Sequence, residues 1–285
     1  MEPELIADYL NHVGEGPLWH VSEKRLYWVD IPQGRIFWFD PESGEHEQFF
    51  QGRVIGGFTI QVDGSLLLFM DRGSIALLRD GELSYVVEEI PEERDTRFND
   101  VIADSRGSVF CGTMPTDTRP AKLYRLDPDG SLTVVLDNIG LSNGLGFTLD
   151  RKQMYYTDSF ARKIYIFDYD ESTSEISNQR VFVETPEGQG IPDGMTVDAD
   201  GYVWSARADG SALFRYTTDG VEERSIPFPA KKVSSVTFGG PDMDEIYVTT
   251  IGGDNKADEG PGAGALFRLK LGIKGVPDFH SRIGV

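Results

Sequence analysis

The stretch Leu-Ser-Asn-Gly-Leu-Gly-Phe at residues 141–147 shows a polar residue followed by Gly and then alternating apolar residues, a pattern that recurs in variant form at nearly regular intervals along the chain. The most similar copy, Ile-Pro-Asp-Gly-Met-Thr-Val-Asp at residues 191–198, has Asp193 in the place of Asn143. Two further copies begin with Glu15 and Asn99. Such alternation, bounded by turn residues, is typical of a strand with one buried face. Each copy therefore predicts the first strand of a repeated unit.

The repeated unit contains three clear strands and a weaker fourth, separated by Asp-Gly, Pro-Asp-Gly and Pro-Glu-Ser-Gly turns. Six copies account for the 285 residues, and no stretch has convincing helical periodicity. A repeat of about 40–50 residues with about four strands is the signature of a propeller blade. The sequence predicts an all-β, six-bladed β-propeller, with residues 1–285 forming a single domain.

The two ends of the chain indicate how the ring closes. The sixth copy lacks a good fourth strand, whereas the stretch Leu-Ile-Ala-Asp-Tyr-Leu at residues 5–10 precedes the first copy without a place in it. An open ring would leave exposed strand edges. We therefore expect the amino-terminal strand to pair in the last blade.

Charge and composition narrow the classes of partner. The net charge of -20 argues against binding to nucleic acid or anionic membranes. No apolar run reaches membrane-spanning length, and the first residues lack the pattern of a signal peptide, so a cytoplasmic location is expected. Of the 27 basic residues 18 are Arg, and an acidic, Lys-poor chain suggests a halophilic protein that is soluble at high salt; an ordinary acidic cytoplasmic protein is the alternative.

Six equivalent positions are expected to surround the propeller axis, because the first strand of every blade lines the central channel. Turn chemistry alone explains Asn or Asp before Gly at any one of them. Four of the six, however, carry side-chain carbonyl or carboxylate oxygens, and a buried ring of such groups requires a compensating cation or partner. The six positions are Glu15, Gly56, Asn99, Asn143, Asp193 and Ser234.

The donors at these positions predict a site for one divalent metal ion. Glu15 and Asp193 supply carboxylates, Asn143 supplies an amide oxygen, and Asn99 is a further candidate. An all-oxygen set suits Ca, Mg or Mn, and Zn or ferrous iron stays open. The four histidines show no metal-ligand spacing, and His20 and His46 are expected on the surface. No Gly-x-Ser-x-Gly or Walker-type motif is present.

Five short motifs, in order and at blade spacing, make the chain similar over essentially its whole length to the SMP-30/gluconolactonase/regucalcin-like family. They are Gly-Glu-Gly-Pro-Leu-Trp at 14–19, Arg-Phe-Asn-Asp at 97–100, Gly-Thr-Met at 112–114, Ser-Asn-Gly-Leu at 142–145 and Pro-Asp-Gly-Met at 192–195. The resemblance implies that Glu15, Asn143 and Asp193 bind the metal. It also implies that Arg97 and Asn99 contact substrate, with Asp117 near the substrate hydroxyls. Val101 follows Asp100 where the family often has Gly.

The resemblance implies a metal-dependent hydrolase that opens a sugar lactone to its aldonic acid, with Asp193 as general base. One rival keeps the metal and the propeller but hydrolyses aryl esters or phosphotriesters, for which a more aromatic mouth is expected. Another is a non-catalytic calcium-binding propeller. We expect a monomer or a weak homo-oligomer whose partner is the small-molecule lactone. Whether the acidic loop 252–262 is a lid is left open.

Overall fold

Short alternating runs between glycine and aspartate turns form strands along the whole chain. The computed structural model describes residues 2–284, which contain 24 strands and two short 3-10 turns, Pro91–Glu93 and Lys256–Glu259. The strands form six antiparallel sheets of four, which are the six blades of a β-propeller. The predicted fold class is confirmed. Within these residues no helix has the length and apolar composition needed to cross a bilayer.

The first five blades each use four consecutive strands. Blade 1 contains β2 (Gly14–His20), β3 (Arg25–Asp30), β4 (Arg35–Phe39) and β5 (His46–Gln51). Blade 2 contains β6 (Ile55–Ile60), β7 (Leu66–Met70), β8 (Ile75–Arg79) and β9 (Glu82–Val87). Blade 3 contains β10 (Phe98–Ala103), β11 (Val109–Thr113), β12 (Ala121–Leu126) and β13 (Leu132–Ile139). Blade 4 contains β14 (Ser142–Phe147), β15 (Gln153–Asp158), β16 (Lys163–Asp170) and β17 (Glu175–Glu184). Blade 5 contains β18 (Ile191–Val197), β19 (Val203–Ala208), β20 (Ala212–Tyr216) and β21 (Glu222–Pro227).

The sixth blade joins the two ends of the chain. It contains β22 (Val233–Gly239), β23 (Glu245–Thr250), β24 (Ala265–Lys270) and, as its outer strand, β1 (Glu4–Asp8). Strand β1 runs antiparallel to β24, with Glu4 opposite Arg268 and Asp8 opposite Ala265. The amino-terminal strand therefore closes the ring, as the sequence predicts.

All six inner strands share one irregularity. In β2, β6, β10, β14, β18 and β22 the pairing to the next strand shifts at a β-bulge near the start of the strand. In β14 the shift lies between Asn143 and Leu145, and in β18 between Pro192 and Met195. Bulges bend a strand and re-aim its side chains. The six positions aligned from the sequence thus fall at one structural feature.

Glycine at the bulge allows neighbouring inner strands to approach closely. A Cβ on Gly144 would lie 2.6 Å from the carbonyl oxygen of Asp193, and one on Gly56 would lie 1.9 Å from that of Phe98. No side chain fits in either place. Glycine is therefore required here for the close approach of backbones at the axis.

The residues after β24 form a C-terminal strap, residues 271–284, across the ends of the inner strands that lie away from the bulges. Backbone N–H groups of Ser281 and Arg282 donate to Ile60 and Gly107 at 2.9 Å each, and Ala199 donates to Lys274 at 2.8 Å. Strand pairing and backbone hydrogen bonds to several blades fix the strap in place. The strap and the bulges lie at opposite ends of the channel.

Candidate functional site

The structure brings together four of the sequence-predicted site residues around the axis. Glu15, Asn99, Asn143 and Asp193 are all buried, with exposed fractions of 4–7%, at the bulges of β2, β10, β14 and β18. Asn99 Nδ2 donates to Asn143 Oδ1 at 2.6 Å across the junction of blades 3 and 4. The predicted ring of oxygen-bearing side chains is therefore a physical cluster.

Arg97 and Asn99 lie next to each other on one side of this cluster. Arg97 Nη1 donates to Asn99 Oδ1 at 2.7 Å and to the Phe98 carbonyl at 2.8 Å. Asn99 Nδ2 donates both to Asn143 Oδ1 and to the Ser142 carbonyl, the latter at 2.8 Å. Both amide hydrogens of Asn99 are thus used within the protein, and its main effect here is to hold the Asn143 oxygen in place.

The other side of Asn143 is held by a serine that the sequence does not mark. Asn143 Nδ2 donates to Ser159 Oγ at 2.8 Å, and Ser159 Oγ donates to the Pro192 carbonyl at 2.6 Å. Ser159 follows β15 in the turn to β16, outside the register of the inner strands. The amide is therefore fixed from both ends, with a lone pair of Oδ1 left for a ligand.

The carboxylates of the cluster have no ion-pair partner. No ion pair within residues 2–284 includes Glu15, Asp100 or Asp193. Among the described residues, the Glu15 carboxylate accepts one hydrogen bond, from the N–H of Gly16 to Oε2 at 2.8 Å. Burial raises the pKa of Glu15 well above its usual range, and the charges of Asp100 and Asp193 raise it further. The cluster thus holds three carboxylates near a single guanidinium, that of Arg97, so its negative charge is only partly compensated.

Asp193 and Asp100 share this environment. Burial, followed by the charge of Asp100, raises the pKa of Asp193 well above its usual range, and the Gly194 N–H, Arg97 and Arg207 oppose the shift. Burial raises the pKa of Asp100 to about 7, opposed by Arg97 and the Gly144 N–H. Burial also lowers the pKa of the Arg97 guanidinium to about 10, against the raising effect of the three carboxylates.

A divalent cation fits this donor set. Buried carboxylates that lack a counter-charge are costly, and a bound cation removes that cost. Residues 2–284 contain no group of three or more His, Cys, Asp or Glu side chains suited to a metal ion. A metal at the axis would therefore depend on the amide of Asn143 in addition to Glu15 and Asp193. Two carboxylates and an amide are hard oxygen donors of the kind that Ca and Mg prefer.

Asp100 is the member of the cluster that sequence alignment leaves out. Strict alternation turns Asp100 away from the axis when Asn99 faces it. The pairing of β10 shifts between Phe98 and Val101, and this bulge breaks the alternation at both residues. The sequence gives one signal for Asp100. The residue after the aligned position is acidic in this copy, whereas it is glycine in the copies at Glu15 and Asp193, which are followed by Gly16 and Gly194.

Two other expectations have different outcomes. Asp117 is exposed in the loop 114–120, which is attached to the site by a hydrogen bond from the Met114 N–H to the Arg97 carbonyl, at 2.9 Å. The role of Asp117 near the substrate hydroxyls stays a prediction.

The expectation that His20 is a surface residue is wrong. His20 is 2% exposed, because its ring bridges blades 1 and 2 through a 3.2 Å hydrogen bond between Nε2 and the Gly64 carbonyl. His46 is exposed, as expected.

Comparison with known proteins identifies the family of this chain. A family model described as the SMP-30/Gluconolactonase/LRE-like region matches residues 13–252. The chain belongs to this family. A relative named Pentonolactonase XacC, from Haloferax volcanii, is 49% identical, and the match covers 98% of this chain and 97% of the relative. Regucalcin from Danio rerio is 33% identical, with 97% of each chain covered.

A solved structure of a luciferin-regenerating enzyme superposes with a TM-score of 0.90 at 30% identity, covering 99% of this chain and 100% of the other. This SMP-30/gluconolactonase/LRE-like chain therefore shares both sequence and ring architecture with full-length relatives. The bulges at Glu15, Asn143 and Asp193 all lie within the range that the family model matches.

Proposed function

We propose that this protein is a sugar lactonase, which hydrolyses an aldonolactone to the aldonic acid. The observation that carries the proposal is the buried cluster of Glu15, Asn143 and Asp193, whose carboxylates lack any ion-pair partner in the described chain. The 49% identity to a relative named Pentonolactonase XacC supports a lactone as the substrate class.

Glu15, Asn143 and Asp193 would hold one divalent ion, and Ca, Mg, Mn and Zn are all compatible with their oxygens. When bound, such an ion supplies Lewis-acid polarisation of the lactone carbonyl and counter-charge for the developing oxyanion. The Asn143 amide is already oriented by Asn99 and Ser159, so little side-chain reorganisation accompanies binding.

Asp193 would act as the general base. Its carboxylate removes a proton from the attacking water as the water oxygen bonds to the carbonyl carbon. The bond from that carbon to the ring oxygen then breaks, and the proton passes to the ring oxygen as it leaves as a hydroxyl. The Gly194 N–H fixes the Asp193 carboxylate, and burial keeps bulk water away from it.

Arg97 would orient the sugar. Only its Nη1 makes hydrogen bonds within residues 2–284, which leaves Nε and Nη2 as donors for substrate oxygens. Asn99 fixes the guanidinium through its Oδ1 and retains one lone pair there. Asp117, on the exposed loop 114–120, would accept hydrogen bonds from hydroxyl groups of the substrate.

The proposal is tested by metal analysis of the purified protein, followed by a pH-indicator assay with pentono- and hexonolactones and each divalent ion restored. Asp193→Ala should lower kcat by at least about 10²-fold with the fold retained, since both the base and a ligand are lost. Asp254→Ala, in the exposed loop 252–262, is the matched control and should keep full activity.

Three results would contradict the proposal. Near-wild-type lactonase activity of the Asp193→Ala variant would show that Asp193 is not the general base. Turnover of aryl esters or phosphotriesters without any lactone would favour the rival hydrolase. Bound metal with no hydrolysis of any of these substrates would favour a non-catalytic calcium-binding propeller.

A further inference from the structure

A cavity lies at the end of the channel that the strap covers. It has a volume of about 250 Å³, opens to solvent, and is lined by the C-terminal ends of β14 and β18 and by strap residues 276–279. Leu145, Phe147 and Met195 form its apolar wall on the blades, and Val276 and Phe279 form the wall on the strap. We call this space the strap cavity. It belongs to the opposite face from the bulges that carry the candidate active site.

One acidic side chain, Asp278, lies at the inner edge of the strap cavity. Asp278 also lines a smaller axial cavity of about 70 Å³, which extends to Asp100. No Lys, Arg or His within residues 2–284 forms an ion pair with Asp278. Burial raises the pKa of Asp278 to about 6, and its own backbone N–H opposes that shift.

The cationic group on the rim of the strap cavity is already engaged. Arg151 Nη1 donates to Glu171 Oε1 at 2.9 Å, and the guanidinium carbon lies 5.1 Å from the ring centre of Phe279. Arg151 therefore closes one side of the cavity without neutralising Asp278. The result is an apolar space with a single uncompensated carboxylate, which is the complement of a cation with an apolar body.

We propose that the strap cavity binds a small organic cation, namely an amine attached to an apolar body. The volume suits a ligand of about ten non-hydrogen atoms, judged from the size of a cavity that holds a benzene molecule. The ammonium group pairs with Asp278, and the apolar body packs on Met195 and Phe279. Asp278 repels a carboxylate ligand at this site. Because the site lies beyond the opposite end of the inner strands, the amine and a lactone do not compete.

Benzylamine is a suitable probe, and the methyl group of Met195 is a local reporter. In protein labelled with 13C at the methionine methyl groups, benzylamine should shift the Met195 signal saturably, with that signal assigned from Met195→Leu. Signals of methionines outside the cavity, such as Met70 in β7, should not move. Benzyl alcohol should bind more weakly, and benzoate should not bind.

Two variants separate charge from shape. Asp278→Asn should weaken benzylamine by about tenfold or more while leaving benzyl alcohol unchanged, because only the ion pair is lost. Leu149→Trp, at an exposed position on the cavity mouth, should abolish the binding of both. The matched controls are Asp219→Asn and Val221→Trp, at exposed positions outside the cavity, and both should bind benzylamine normally.

The proposal is overturned if benzylamine causes no saturable shift at Met195, or if Asp278→Asn and Leu149→Trp leave its affinity unchanged. Benzoate binding as tightly as benzylamine would also overturn it, since the carboxylate of Asp278 would then not select the ligand.

Discussion

The orientation of Asn143 depends on a hydroxyl that belongs to another part of blade 4. Ser159 Oγ accepts from Asn143 Nδ2 and donates to the Pro192 carbonyl, so one atom connects the bulges of β14 and β18. Ser159 is completely buried, so loss of its hydroxyl would leave its two partners without a hydrogen bond. Ser159, which is not one of the proposed metal ligands, thus fixes the orientation of Asn143, which is one.

Ser159→Ala should therefore weaken divalent-metal affinity by about 10–100-fold, the range seen when supporting hydrogen bonds of ligands are lost. It should also lower the free energy of unfolding by about 1–3 kcal/mol, since a buried donor and a buried carbonyl lose their partner. Titration calorimetry with metal and urea denaturation measure the two effects. Ser74→Ala, which removes a buried hydroxyl from blade 2, should change stability without changing metal affinity.

Asp278 provides a prediction about pH and stability. Burial raises its pKa to about 6 in the folded protein, against about 3.9 in an unfolded chain. The folded state therefore holds the proton more tightly, and the stability associated with that proton is lost as the pH rises through about 6. The loss is at most about 3 kcal/mol for two pKa units. Arg151 lines the same cavity as Asp278, Asp100 lines the adjoining axial cavity, and His280 follows Asp278 by two residues in the strap.

The Asp278→Asn variant cannot show this loss. Its free energy of unfolding, relative to that of the wild type, should therefore be higher at pH 8 than at pH 4, values about two units above and below 6. Urea denaturation at both pH values measures the difference. Asp219→Asn, at an exposed position, should show no such trend. An equal stability difference at both pH values for Asp278→Asn would show that its carboxyl titrates normally.

Strand β1 is the element on which ring closure depends. It covers β24, and its Ala7 packs with Trp28 and Phe37 of blade 1 in one buried cluster. The pairing joins residues that are more than 250 positions apart in the chain, such as Glu4 and Arg268. Without β1, the edge of β24 would be free to pair with another molecule.

Deletion of residues 1–8 should therefore lower Tm and cause concentration-dependent association. Deletion of residues 1–3, which precede β1, is the control and should have little effect. Differential scanning calorimetry and size-exclusion chromatography measure the two properties. If the longer deletion had the same Tm as the full chain and remained unassociated, β1 would be dispensable for closure.

Self-repulsion should dominate the response of the whole molecule to salt. The net charge is -20, so negatively charged side chains outnumber positively charged ones even though some form ion pairs, such as Arg180–Asp168. Raising KCl to about 1 M reduces the Debye length to about 3 Å, which screens this repulsion. Tm should therefore rise with KCl, as the halophilic interpretation predicts. It remains a prediction here.

The combined change Glu42→Lys and Glu45→Lys, at two exposed positions, makes the net charge less negative and should reduce the salt dependence of Tm. Thermal unfolding in a KCl series measures both proteins. A Tm that is flat or falls with KCl in the wild type would contradict the role of self-repulsion. Equal salt slopes in the two proteins would contradict it as well.

The fold and the ring of the candidate site were predictable because both depend on local patterns that repeat. Alternation, turn residues and repeat length identify six blades, and the unassigned amino-terminal strand identifies the closing pair. Once the blades are in register, Glu15, Asn143 and Asp193 must lie near one another around the axis, as they do. No long-range contact has to be guessed to reach this result.

The tertiary structure decided what the repeat does not encode. The bulge in β10 brings Asp100 into the cluster against its expected alternation, and the turn after β15 brings Ser159 to Asn143. The strap has no repeat at all, so only its packing places Asp278 beneath the channel. The physical reason is that a strand pattern fixes which face a residue has within its own sheet, whereas contacts between blades depend on how the backbone deviates from that pattern.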